Sequence, residues 1–334
     1  MGKKKNKISK EQNNRIQSQY LSNQNQKNDT KSKELPYMCL LMIVKNESHV
    51  ITQTLDILHK LIDYWIICDT GSTDGTQDLI RNYFLEKNIP GELVEHEWKN
   101  FGHNRTQAFD CAYKKSKYVF VFDADDLIHG DFYIPKNFNG DAYSLKFGQV
   151  YTYTRPQIFR NSLKWCYRGV LHEFADCIDK KNCTYTLIEG NYYVESRRLG
   201  SRNSDPDKYL KDANLLLSAI NEKIDPDLKG RYLFYLAQSY RDYKDIPNAI
   251  KYYMERAEFG GWDEEVYYSC WQIGILMYQV DGYTDNDKIN WFLKGYKRCS
   301  YRGEVLSEIG KIYFNQNEYM KAYSYFLLLY KLNI

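Results

Sequence analysis

Between Tyr37 and Gly200 the chain alternates short apolar runs with longer amphipathic ones. Met38 to Val44, Trp65 to Cys68, Leu93 to His96 and Tyr118 to Phe122 are continuous apolar or β-branched runs of strand length. Between them, Ser48 to Lys60, Asp74 to Glu86 and Asn104 to Lys115 carry helical spacing. Strands without internal polar alternation, linked by helices, predict βαβ units and a mainly parallel sheet covered on both faces. Further strand-like pieces at Ala142 to Phe147, Val150 to Thr154 and Tyr185 to Val194 lack a helix between each pair, so this half is expected to be mixed. After Arg202 the strands stop. Asp205-Pro206 and Asp225-Pro226 each place a capping acid before a proline suited to the first helical position, predicting two helix starts.

The helical part repeats. Ala237, Gly274 and Gly310 occupy equivalent small positions in Leu-Ala-Gln-Ser-Tyr, Gln-Ile-Gly-Ile-Leu and Ile-Gly-Lys-Ile-Tyr, 37 and 36 residues apart. Ala249 and Ala322 recur 73 apart, two periods. A period slightly above the ~34 residues of a tetratricopeptide unit resembles that repeat and predicts stacked helical hairpins. Aromatic residues there (Tyr232, Tyr235, Tyr240, Tyr252, Tyr253, Trp262, Trp271) fall mostly at helical spacing, as core residues do.

Composition adds boundaries. The 334 residues suffice for about two folded units, and residues 1–34 hold nine Lys/Arg, three Asp/Glu and few apolar groups, a basic tail expected to be disordered. The resulting division is a tail over 1–34, an α/β domain over 35–203 and a helical domain over 204–334. With the tail set aside the remainder is slightly acidic, so nucleic acid is not an expected partner. The longest apolar run, Tyr37 to Val44, is far short of the ~20 residues of a membrane helix, and a polar N-terminus is unlike a signal peptide. A non-secreted, cytoplasmic protein is expected. The eight cysteines include no Cys-x-x-Cys pair and are expected as reduced, buried thiols.

Three polar clusters follow three of the predicted strands. Lys45-Asn46-Glu47 ends the first, Asp69-Thr70-Gly71-Ser72-Thr73-Asp74-Gly75-Thr76 the second, and Asp123-Ala124-Asp125-Asp126 the fourth. Carboxyl ends of parallel strands share one edge, so these groups are expected to converge on one crevice. No Walker loop and no Gly-x-Gly-x-x-Gly occurs, which disfavours P-loop and nicotinamide enzymes. Three acids in four residues at a buried strand end repel one another unless a cation sits there; their hard oxygens suit Mg²⁺ or Mn²⁺.

These clusters, in this order, resemble a family 2 glycosyltransferase with the GT-A nucleotide-diphospho-sugar fold. The matching stretches are Ile43 to Glu47, Cys68 to Thr76, Phe101 to Ala108 and Val121 to Asp126, within about residues 37–200. The resemblance implies that Lys45, Asn46, Glu47, Asp69 and Asp74 contact the nucleoside end of a donor, with Asp123 near ribose or metal. It also implies that Asp125 is the metal ligand proper and that Arg105 faces the donor. Tyr167 to Glu173 resembles a Gly-x-x-His-Glu segment of the same family. Glu173 is the candidate base for an acceptor hydroxyl, and His172 a candidate third metal ligand or donor to the diphosphate. Arg197, Arg198 and Arg202 sit in a loop that could close over a diphosphate; many relatives carry a histidine here, where this chain reads Val194-Glu195-Ser196-Arg197.

The implied activity is metal-dependent, inverting transfer from a nucleotide sugar, UDP-sugars foremost, to a hydroxyl on a glycan, protein or lipid. The helical repeats could flank the acceptor or dock a protein partner. Two competing readings remain at this point: an interaction protein with an inactive sugar-nucleotide fold, and a nucleotidyltransferase. The second lacks its usual basic, Gly-rich loop after the first strand.

Overall fold

A computed structural model describes residues 34–332; the tail expected over 1–34 lies, up to residue 33, outside the described residues. Eleven strands are seen among the described residues: β1 (Met38–Val44), β2 (Tyr64–Asp69), β3 (Gly91–Glu95), β4 (Tyr118–Val121), β5 (Asp126–Gly130), β6 (Ala142–Phe147), β7 (Tyr153–Arg160), β8 (Trp165–Arg168), β9 (Phe174–Cys177), β10 (Tyr185–Leu187) and β11 (Tyr192–Ser196). Three helices, α1 (Ile51–Leu58), α2 (Thr76–Lys87) and α3 (Phe101–Ala112), separate the first four strands.

The main sheet runs β3-β2-β1-β4-β7-β6-β11-β5, with β10 beside β6. The first four strands are parallel to one another, β7 is antiparallel to both β4 and β6, and β5 is antiparallel to β11. The sheet is thus mixed and mostly parallel at the end that carries the polar clusters. Alternate residues of the continuous apolar strands enter opposite cores. Leu40, Met42, Ile67 and Phe120 pack with α1 and α2 residues such as Leu55 and Phe84, whereas Cys39, Leu41, Ile66 and Val121 pack with Ala108 and Phe109 of α3. Burial on both faces is why these strands read as unbroken runs.

Elsewhere the structure departs from the sequence reading. The segment 150–152 is not a strand: Val150 and Tyr151 are among the most exposed apolar residues, and β7 begins at Tyr153 and continues through Pro156. Proline is accommodated because β4 pairs only with Ile158 to Arg160, while the β6 ladder shifts register between Tyr143 and Ser144, opposite Pro156. The run Tyr185 to Val194 is two strands, parted around Gly190. β5 and the separate β8–β9 hairpin were not foreseen; their strands are four or five residues long and partly polar.

The helical part comprises α4 (Lys208–Asn221), α5 (Lys229–Tyr243), α6 (Ile246–Phe259), α7 (Asp263–Leu276), α8 (Asp285–Arg298), α9 (Glu304–Asn315) and α10 (Tyr319–Lys331). Consecutive helices pack against each other, and the small repeat positions lie at the contacts. A Cβ on Gly274 would overlap the Phe292 ring, and one on Gly310 would lie 2.6 Å from Phe326. Ala237, Ala249 and Ala322 are buried at the corresponding contacts. The two expected helix starts are shifted: Asp205 accepts from the Asp207 amide at 3.0 Å while Asp207 takes the N-cap position of α4, and Asp225 stands at the N-cap of a 3₁₀ turn that opens on Pro226, with no side-chain cap bond. A turn separates Asp205 from α4, and Asp225 adopts a left-handed φ of 44° before a 3₁₀ turn at Pro226–Leu228. Its carboxylate instead accepts from the Gly169 amide at 3.3 Å, tying the helical part to the β8–β9 turn. Val170 and Leu171 of that turn belong to the helical core, and from Pro36 on the chain packs as one unit. No described helix is long and apolar enough to cross a membrane.

Candidate active site

Because β1, β2 and β4 are parallel, the segments after them emerge on one edge. The first two are stitched together. Asn46, at a left-handed φ of 58°, accepts through Oδ1 from the Thr73 amide at 2.8 Å, and its own amide donates to Ser72 Oγ at 2.8 Å. The Glu47 amide donates to Thr76 Oγ1 at 2.8 Å and the Ser48 amide to Asp74 Oδ2 at 3.0 Å. Asp74 Oδ1 accepts from the Thr76 hydroxyl at 2.6 Å. Against the effect of burial, the Thr76 and Ser48 donors hold the Asp74 carboxyl at about 2. Asp69 is fully buried; its Oδ1 accepts from the Gly71 and Ser72 amides and from Gln77 Nε2, while Oδ2 has no hydrogen-bond partner. The acidic segment after β4 is fixed from α1, where buried Thr54 donates to the Ala124 carbonyl at 2.7 Å and to that of Asp126 at 3.0 Å.

Below this edge lies a cavity of about 890 Å³. Among its lining residues are Glu47, Arg105, Asp123, Asp125, His172, Glu173 and Arg202. Lys45, Asn46, Asp69, Asp74 and Arg198 are not in its lining: Lys45 and Arg198 are exposed, and Asn46 and Asp74 hold the neighbouring loops. At its centre Arg105, on α3, bridges two acids, with Nη2 2.6 Å from Asp123 Oδ1 and Nε 2.8 Å from Glu173 Oε1. Arg155 of β7 stands 3.8 Å from the other Asp123 oxygen. Burial alone would raise the Asp123 carboxyl, but these two guanidiniums hold it below the usual carboxylate range.

Glu173 reaches Arg105 because the β8–β9 turn presses on the start of α3: a Cβ on Gly102 would run into the Gly169 carbonyl, and Gly169 itself has φ of 98°. In the same turn His172, also left-handed at 52°, stacks on Tyr235 of α5 with ring centroids 3.7 Å apart. Arg231 donates to the His172 carbonyl at 2.7 Å. Burial, aided by Arg231, Arg202 and Lys208, lowers the His172 imidazole to about 4, so it is neutral near pH 7 in a cationic surrounding.

The segment after β11 crosses the acids. Arg197 Nε donates to the Asp125 carbonyl at 2.7 Å, the Gly200 amide to Asp125 Oδ2 at 2.8 Å, and the Ser201 amide to Glu47 Oε1 at 3.3 Å. Arg202 pairs with Asp212 and lies 4.7 Å over the Phe101 ring. Glu47 Oε2 is buried without a partner, and burial, with Asp125 adding repulsion, raises the Glu47 carboxyl to about 7. An orphaned carboxylate oxygen beside a second acid is a donor set that a hard dication fits. Asp125 and Glu47 could hold such an ion, with water or phosphate completing its sphere. Arg155, Tyr153, Gln157, Arg231 and Tyr235 also line the cavity and were missed. Only Tyr235 stood in a pattern, the aromatic helical spacing, and that pattern pointed to core.

A search of curated proteins finds no match. Among solved structures, the chain resembles residues 1–349 of S. aureus TarS in complex with UDP-GlcNAc, at 14% identity and a TM-score of 0.39, covering 79% of this chain and 92% of that one. It resembles MamA at 12% identity and a TM-score of 0.29, over 39% of this chain and 81% of that one. For Pseudomonas aeruginosa pilF the identity is 16% and the TM-score 0.28, over 38% and 61%. Residues 39–139, within the α/β half of the chain, match the family model for glycosyl transferase family 2.

Proposed function

We propose that the chain moves a sugar from a nucleoside-diphosphate donor, a UDP-sugar in the first instance, to an acceptor hydroxyl on a glycan, protein or lipid, with Mn²⁺ or Mg²⁺ bound. The observation that carries this reading is the convergence of Glu47, Asp123, Asp125, Arg105 and Glu173, from four separate segments, on one cavity. In this reading Asp69, with its orphaned oxygen beside the β2 loop, takes a donor of the nucleoside, while Asn46 and Asp74 keep that loop in place. Lys45, at the rim, and Arg198, in the segment after β11, supply positive charge toward the phosphates.

Asp125 and Glu47 hold the dication, which when bound neutralises charge on the departing nucleoside diphosphate. His172, neutral and ringed by Arg231 and Arg202, suits a hydrogen bond to phosphate better than a place beside the ion. Glu173, fixed by Arg105, removes the acceptor hydroxyl proton as that oxygen attacks the anomeric carbon. A single displacement of this kind inverts the anomeric centre through an oxocarbenium-like transition state. Tyr235 and Arg231 bring the helical part to the cavity wall, where an acceptor enters.

A panel of nucleotide sugars assayed for nucleoside diphosphate release with Mn²⁺ tests the reading. Asp125→Asn is expected to lower turnover by ~10²- to 10³-fold, the scale of removing one preorganised electrostatic partner. Glu173→Gln should lose transfer while keeping donor binding. Unaltered, metal-dependent turnover in Asp125→Asn would remove the cation assignment, and release of pyrophosphate instead of nucleoside diphosphate would identify a nucleotidyltransferase.

A further inference from the structure

Three side chains of metal-binding type meet on the α3 side of the sheet, outside the residues the transfer reaction uses. Cys68 lies in β2, fully buried among Leu41, Ile66 and Ala108. His96 directly follows β3, and Cys111 is in the last turn of α3. One donor atom of each, two sulfurs and one imidazole nitrogen, lie within 4.8 Å of one another, and this is the sole such trio of His, Cys, Asp or Glu among the described residues. Cys111 Sγ is 3.5 Å from His96 Nε2.

We propose that Cys68, His96 and Cys111 form a Cys₂His site for a thiophilic dication of the Zn²⁺ type, with water in the fourth position. Zn–S bonds of ~2.3 Å and Zn–N bonds of ~2.0 Å at tetrahedral angles put neighbouring donors ~3.5–3.8 Å apart. The Cys111–His96 separation already has that length, so the trio needs little rearrangement to close on an ion. Two sulfurs and an imidazole select Zn²⁺ over the hard Mg²⁺ or Mn²⁺ assigned to the carboxylates of the cavity. The site has an entry path: Cys68 is buried, but His96 and Cys111 are partly open to solvent, leaving one side for the ion and its water. Coordination exchanges two S–H protons for two S–metal bonds, with imidazole entering neutral, so each dication bound releases two protons.

The three ligands come from three elements, and binding would staple β2, the end of β3 and α3 together. The location gives that staple a purpose. Cys68 precedes Asp69, the His96 amide donates to the Asp69 carbonyl at 2.8 Å, and α3 carries Arg105. The ion would therefore act as a structural clamp behind the donor loop, apart from the reacting atoms.

The test uses the full chain, reduced and stripped of metal, titrated with Co²⁺ and then Zn²⁺. One equivalent of Co²⁺ should give thiolate-to-metal charge-transfer absorption, bleached by one equivalent of Zn²⁺. Cys111→Ser and His96→Asn should each lose the band or at least tenfold in Co²⁺ affinity, whereas Cys183→Ser, outside the trio, should keep both. Zn²⁺ should raise the melting temperature of the parent chain and not that of Cys111→Ser, with circular dichroism reporting that each variant is folded. A band absent from the parent, a band surviving unchanged in both ligand variants, or a Cys68–Cys111 disulfide in the isolated protein would overturn the assignment. None of these readouts depends on sugar transfer, so failure here leaves the transferase reading standing, and the reverse also holds.

Discussion

Removing the Arg105 side chain should cost stability in a pH-dependent way. Its guanidinium, 11% exposed, is shared between Asp123 and Glu173, whose side chains are 27% and 12% exposed. Arg105→Met keeps a similar apolar stem but leaves two acids without their common partner. Breaking a buried ion pair by removing one partner costs ~3–5 kcal/mol. Arg155, 3.8 Å from Asp123, persists, and Asp123 is partly solvated, so the lower end, ~3 kcal/mol, is expected. The sign with pH follows from Asp123. Its carboxyl is held below the ordinary range in the parent chain, so its contribution is present above the unfolded value and is lost as pH falls through the folded one. In the variant, burial acts on Asp123 with less opposition, and its carboxyl takes up a proton at higher pH than in the parent. The variant thus recovers stability on acidification toward about pH 5, where the parent still keeps the Asp123 contribution in full, and the gap between them narrows. Urea unfolding followed by tryptophan fluorescence at about pH 8 and about pH 5 measures this directly. Adding Glu173→Gln to Arg105→Met should restore ~1–2 kcal/mol, a coupling typical of directly contacting groups. A deficit under ~1 kcal/mol at the higher pH, or one that does not shrink at the lower, would refute the claim that these three groups act as a buried unit.

Other expectations follow from single contacts. Gly274→Ala would ordinarily gain ~1 kcal/mol of helix propensity, but overlap with Phe292 should turn this into a loss of ~1–3 kcal/mol; a raised melting temperature would contradict it. Thr54→Val removes the hydroxyl that two carbonyls of the acidic segment share; it should cost ~1–3 kcal/mol in denaturant unfolding and raise the KM for donor, with unchanged KM arguing against its positioning role. Tyr235→Ala withdraws the ring on which His172 stacks and which packs on the helical core, so KM should rise and the melting temperature fall, with an unchanged KM arguing against its place in the cavity wall.

The parallel half of the sheet was legible because both its faces are covered, which forces β1, β2 and β4 to be apolar throughout and leaves no ambiguity of period. The later strands obey weaker constraints. Val150 and Tyr151 have strand-forming side chains yet stand in solvent, whereas Pro156, a residue that argues against a strand, sits inside β7 because no β4 residue pairs opposite it. Local composition does not specify which neighbour a strand will have. The helical repeat was readable for the converse reason: its small residues mark ring-to-backbone contacts that recur at each stacking step, and Gly274 and Gly310 meet Phe292 and Phe326 in the same way.

At the crevice, the motifs indicated which edge of the sheet would be polar but not how each group would be used. Asp74 and Asn46 carry side chains suited to a ligand, yet both are engaged by backbone amides across the gap between two loops. The requirement they meet is conformational: two irregular segments at a sheet edge expose amides that must find acceptors, and short polar side chains supply them. The segment after β11 makes the same point from the other side. Its arginines drew the sequence argument toward phosphate, but Arg197 is turned to the Asp125 carbonyl and Arg202 to Asp212. The groups that reach the carboxylates of Asp125 and Glu47 are the amides of Gly200 and Ser201. Every residue but proline owns such an amide, so no side-chain pattern could have announced it. Those amides take Asp125 Oδ2 and Glu47 Oε1 and leave Glu47 Oε2 without a partner, so the backbone of this segment and an incoming dication would share the same two carboxylates through different oxygens.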